Sequence, residues 1–149
     1  TELGGALAED DLAMLMARVP SGCDHKFARW TLSPRPGSVS QARSLARRTL
    51  RDWDLHPLED TTALLVSELV TNAIRYADSD VELRLAKGGV LVCEVADGNV
   101  HVPRRRRSRP DEEGGRGLTI VGELSQAWGT RPVASGKVVW FELALPRRF

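Results

Sequence analysis

At 149 residues the chain is long enough for one domain, since a chain of this size buries about two-thirds of its unfolded surface around a single core. Its 42% hydrophobic content is ordinary, no apolar run approaches the roughly 20 residues that span a bilayer, and Thr1-Glu2-Leu3-Gly4 lacks the features of a signal peptide, so a cytoplasmic location without membrane contact is expected. A net charge of +1 rules out a globally basic nucleic-acid binder, and Cys23 and Cys93, far apart and without metal-ligand spacing, read as reduced thiols.

The first 22 residues form a separate segment. Asp10-Asp11 precede the apolar run Leu12-Ala13-Met14-Leu15-Met16, and Pro20-Ser21-Gly22 has linker composition, so the main domain is expected over 23–149. The apolar run reads either as a strand behind paired acids or as an amphipathic helix behind an acidic N-cap. A strand near Lys26 to Leu32 then leads through Pro34-Arg35-Pro36-Gly37 to a helix with Ser38 as N-cap and Gln41 three residues later, a capping-box pattern. From Pro57 to Ala77, apolar residues at Leu58, Leu65, Leu69 and Ala73 and at Val66, Val70 and Ile74 follow the helical repeat, with Glu59 and Asp60 suiting the positive end of the dipole. Strands are predicted near Val81 to Ala86 and Val90 to Ala96, then near Ala127 to Pro132 and Lys137 to Leu145, with a helix after Gly117. Helices on one face of a mixed, largely antiparallel sheet give an α+β two-layer sandwich. Between the inner strands and that last helix, Arg104, Arg105, Arg106, Arg107 and Arg109 lie between Pro103 and Pro110 and are followed by Asp111-Glu112-Glu113. Such a loop has little to bury. Its charge alone offers only salt-sensitive, sequence-blind attraction to nucleic acid, and no reading motif accompanies it, so no direct nucleic-acid binding is expected. His25, His56 and His101 are scattered and form no zinc pattern.

Three short elements carry the chemistry. In Glu68-Leu69-Val70-Thr71-Asn72-Ala73, Glu68 and Asn72 are four apart and share one helical face, about 5–6 Å apart at Cβ. They are either a hydrogen-bonded pair on an exposed edge or a functional pair, with the Asn72 carbonyl oxygen joining Mg²⁺ and Glu68 taking a proton from an attacking hydroxyl. Asp97-Gly98-Asn99 ends a strand. Those residue types suit a turn for backbone reasons, whereas a functional Asp97 would accept from the exocyclic amine of adenine and reject guanine, whose carbonyl would meet a carboxylate. Gly114, Gly115 and Gly117 precede Leu118, Ile120 and Val121, and glycines at a helix start let backbone N–H groups approach an anion, with Arg116 as a fork for phosphate oxygens.

In this order the elements resemble the N, G1 and G2 boxes of the GHKL ATPase superfamily, which includes gyrase, a heat-shock chaperone, histidine kinases and mismatch-repair ATPases. The ending Gly136-Lys137-Val138-Val139-Trp140-Phe141-Glu142-Leu143 and the acid at Glu68 are most similar to bacterial anti-sigma-factor serine kinases. The resemblance implies a Bergerat ATP-binding fold binding ATP and Mg²⁺. It implies Glu68 as catalytic base, Asn72 as metal ligand, Asp97 as adenine reader with Asn99 in the same turn, and Gly115, Arg116, Gly117 and Leu118 as the phosphate loop. In many relatives a threonine near the last strand helps hold adenine, and Val138 stands at the matching place here. A homodimer is implied, with an anti-sigma factor antagonist as phosphoacceptor and a sigma factor as partners. The ATP-binding half of a histidine kinase is a competing reading without a preceding phosphoacceptor helix in this sequence, and a partner-binding module that does not transfer phosphate is another. The N-terminal segment resembles the final strand of a PP2C-type sporulation phosphatase domain.

Overall fold

The structure is a computed structural model and describes residues 25–76, 79–97, 113–133 and 136–147, with the backbone alone for residues 76 and 113–117. The strands are β1 (Lys26–Leu32), β2 (Val81–Lys87), β3 (Val90–Asp97), β4 (Ala127–Val133) and β5 (Gly136–Ala144), with the clearest apolar alternation in β2. They form one sheet in the order β1-β2-β3-β5-β4. Every pairing is antiparallel, so the sheet is not mixed. Leu83 and Leu85 of β2, Leu91, Cys93 and Val95 of β3, and Val139, Phe141 and Leu143 of β5 point to one face and are buried in the main core. Covering a side chain of that size stabilises the fold by about 1.5–3 kcal/mol. The described residues make the α+β two-layer arrangement with helices on that face.

The helices are α1 (Gly37–Asp52), α2 (Glu59–Tyr76) and α3 (Glu113–Leu124). Helix α2 is central and packs against α1, α3, β2 and β3. Its Leu65, Val66, Leu69, Val70 and Ala73 follow the helical repeat and are buried. Helix α1 approaches through small residues, Ser38, Ala42, Ala46 and Thr49, with Leu50. Along its flank Arg43, Arg47 and Arg51 recur every four residues and reach Ser67 (2.9 Å), Asp60 (2.7 Å) and Glu59 (3.0 Å) of α2. The exposed Arg47–Asp60 and Arg51–Glu59 ion pairs are worth at most about 1 kcal/mol each; they set direction more than strength.

Two expected helix starts shift. Ser38 is not an N-cap: Pro36 already has helical φ −56° and ψ −35°, the helix begins at Gly37, and no side chain caps it. Ser38 is buried instead, because proline's fixed φ starts the turn earlier. Pro57 lies in a short 3-10 turn, His56–Leu58, and α2 proper begins at Glu59. Before that turn, Lys87 at the end of β2 donates its Nζ to the Trp53 carbonyl (3.1 Å), placing a cation at the negative end of α1.

The opposite sheet face is built of charge. Glu94 of β3 is 2% exposed and accepts from Arg84 Nη1 (3.0 Å) on β2 and Arg131 Nη2 (2.6 Å) on β4. Arg84 also donates to Glu82 (2.8 Å), whose carboxylate pairs with Arg29 of β1 (3.0 Å). Burial opposes the Arg84 charge, but the Glu82 and Glu94 carboxylates outweigh it and raise its pKa. Between Glu94 and the β4 strand, Trp140 of β5 lies over Gly129, where an added Cβ would stand 2.9 Å from the indole. Gly129 has no side chain because the ring occupies that space.

Candidate nucleotide site

Helix α2 presents two flanks. At 100° per residue, Ser67 turns toward α1, where Arg43 meets it, while Glu68 and Asn72 lie on the other flank. Both are half-buried, and Leu64 and Arg75 on the same side are exposed. Glu68 and Asn72 therefore share a face, one helical turn apart, turned away from the Arg43–Ser67 hydrogen bond.

Asp97 is the last residue of β3. The alternation Leu91, Cys93, Val95 continues to it, so its carboxylate lies on the helix-covered face, 6% exposed, beside Val81 of β2. A carboxylate at the end of an apolar row requires a polar reason to be there. Within the same row Cys93 is fully buried, and burial first, the Glu94 charge second, raises its thiol pKa well above the ordinary range, so it is not a reactive nucleophile.

The register of β5 corrects one expectation. Asp97 stands opposite Lys137, whereas Val138 stands opposite Ala96 and Arg131. Directly opposed residues share a face and successive residues alternate, so Val138 points to the charged face, 1% exposed, outside the main core. It does not line a pocket with Asp97. Lys137 is the β5 residue that does face that way, and it escaped sequence reading because Val138-Val139 and Trp140-Phe141 are apolar on both faces and hide the alternation. Gly136 before it has φ 152°, a conformation that glycine alone adopts readily.

A second correction concerns the glycines. Gly114, Gly115 and Gly117 lie inside α3, not in a turn ahead of it. The first four N–H groups of a helix have no intrahelical acceptor, and in a helix starting at Glu113 those of Gly114 and Gly115 are among them. Leu118 packs against the core with Ile120, so its side chain anchors α3. Asn99, the basic loop 103–110 and the N-terminal segment fall outside the described residues, as does the side chain of Arg116.

A family model described as the histidine kinase-like ATPase domain matches residues 32–143, a span that includes α2, Asp97, the glycine stretch and Lys137. The chain belongs to the histidine kinase-like ATPase family. No curated protein matches it significantly. For this histidine kinase-like ATPase domain ATP is the implied ligand, and the residues present suit it. A buried acceptor at a strand end can take a base, and a helix start can take phosphates. Mg²⁺ is a different case. No group of three or more His, Cys, Asp or Glu able to hold a metal occurs among the described residues. The side-chain carbonyl oxygen of Asn72 is of the kind that Mg²⁺ takes, an ion that binds one or two protein ligands and takes the rest from phosphate and water. No helix among the described residues is long and apolar enough to cross a membrane.

Proposed function

We propose that this ATPase domain is a protein serine kinase of the anti-sigma-factor type, transferring the γ-phosphoryl group of ATP to a serine of an anti-sigma factor antagonist and binding a sigma factor, as a homodimer. The observation that supports the reading is the placing of Glu68 and Asn72 one turn apart on one half-buried flank of α2, with Asp97 at the end of the core-facing row. In this reading Asp97 accepts from the adenine amine and the N–H groups at the start of α3 hold phosphate oxygens. Asn72 would hold Mg²⁺, which when bound would supply charge compensation for the transferring phosphoryl group. Glu68 accepts the proton of the serine hydroxyl as its oxygen bonds to the γ-phosphorus and the bond to the β-phosphate oxygen breaks, releasing ADP.

Asp97→Asn should weaken ATP by more than about 1 kcal/mol, since hydrogen bonds to charged groups are worth about 1.5–3 kcal/mol, and ATP should bind in preference to GTP. Glu68→Gln should leave ATP affinity nearly intact and reduce labelled γ-phosphoryl transfer to a candidate antagonist about 10²–10⁴-fold, because a base acts at the transition state. Transfer at the wild-type rate by Glu68→Gln would make Glu68 structural. A partner-binding module without phosphotransfer is the competing reading. The acids Asp111, Glu112 and Glu113, which lead into the glycines where the resembled kinases carry a basic residue, favour it.

A further inference from the structure

We propose that Lys137 is a second base-reading residue of the nucleotide site, its ammonium donating to the adenine ring nitrogen N1 beside the exocyclic amine that Asp97 accepts from. The inference rests on the ATP-binding reading above. What carries it is register: Asp97 and Lys137 are direct partners across β3 and β5, both on the helix-covered face. Opposed residues have Cβ atoms about 4.5–5.5 Å apart, and a lysine stem is flexible enough to bring its charge level with a neighbouring carboxylate. Toward the sheet interior the next partners in the row are Val95 and Val139, both buried and apolar. Lys137 and Asp97 are therefore adjacent polar positions at the rim of an apolar surface, one a donor and the other an acceptor.

That combination matches one edge of adenine. Its amine is a donor and the adjacent N1 an acceptor, so a carboxylate and an ammonium side by side satisfy both at once. A carboxylate alone reads one point. Two points fix the base in its plane. Gly136, with φ 152°, starts β5 immediately before Lys137 and so sets where the lysine enters the sheet.

The test is a thermodynamic cycle by titration calorimetry, using ATP and 1-deaza-ATP, in which a C–H replaces N1, against wild type, Lys137→Met and Lys137→Arg. Wild type should bind 1-deaza-ATP about tenfold or more weakly than ATP, the scale of one hydrogen bond to a charged group. Lys137→Met should bind ATP more weakly than wild type and lose the discrimination, to within about twofold, whereas Lys137→Arg, which keeps a donor, should retain it. A merely structural lysine would change both nucleotides equally. Equal discrimination in wild type and Lys137→Met overturns the inference. So does tighter ATP binding by Lys137→Met, which would mean that Lys137 competes with the base for Asp97. If Asp97→Asn weakens ATP while that coupling is absent, only the role of Lys137 fails. If no variant and no wild-type protein binds ATP, the nucleotide reading fails and this inference with it.

Discussion

Removing the Glu94 carboxylate tests whether the charged sheet face contributes to stability or only decorates it. Glu94 is 2% exposed and accepts two charged hydrogen bonds, from Arg84 at 3.0 Å and Arg131 at 2.6 Å. Breaking a buried ion pair by deleting one partner costs about 3–5 kcal/mol. The two arginine side chains are 15% and 22% exposed and can regain water, and Arg84 keeps Glu82, so the low end applies. Glu94→Ala should therefore destabilise the domain by about 3 kcal/mol, and Glu94→Gln, which keeps the volume and an acceptor, by about half that. With a urea m-value of about 2 kcal/mol/M, the alanine variant should unfold at a midpoint lower by about 1.5 M, followed by far-ultraviolet circular dichroism. A shift below about 0.3 M for Glu94→Ala would refute the reasoning, showing that the cost of desolvating the carboxylate cancels what the arginines return.

Two further outcomes follow, one from each face of the sheet. Gly129→Ala should destabilise by about 1–3 kcal/mol, because its Cβ would meet the Trp140 indole at 2.9 Å, and thermal unfolding at the wild-type temperature or above would contradict that packing. Burial raises the Cys93 thiol pKa, so the unfolded chain loses that proton first as the solution turns alkaline. Stability is fully held below the unfolded thiol value of about 8.5 and falls above it by up to about 1.4 kcal/mol per pH unit, until the folded value is reached. Urea midpoints of wild type and Cys93→Ala compared from neutral to alkaline pH should diverge; parallel profiles would exclude the effect.

Much of this architecture was legible in the sequence, and for identifiable reasons. The α2 repeat of Leu65, Leu69 and Ala73 with Val66 and Val70 has one apolar stripe and no competing pattern, so the shared flank of Glu68 and Asn72 could be read directly from helix geometry. The β2 alternation was equally clear, with Val81, Leu83 and Leu85 buried. Helix starts were harder, because Ser38 and Pro36 give conflicting signals and the fixed φ of proline prevailed. The face of Val138 was not legible at all. Long-range register depends on which residues oppose each other across β3 and β5, and an apolar residue is tolerated on both sides there. For the same reason nothing local in Glu94 announced two arginine partners from strands on either side.

The charged face has a bearing on the other one. Side chains alternate strictly along a strand, so a slip of β5 by one residue would bring Val138 beside Asp97 and turn Lys137 away. Apolar patterning cannot forbid that slip, since Val138 and Val139, and Trp140 and Phe141, are near equivalents for an apolar surface. Polar partners can. Trp140 seated on Gly129 ties β5 to β4, and Arg131 reaching Glu94 ties β4 to β3 across the intervening strand. The charged face thus acts as a template that keeps the alignment, and it fixes which β5 residue stands opposite Asp97.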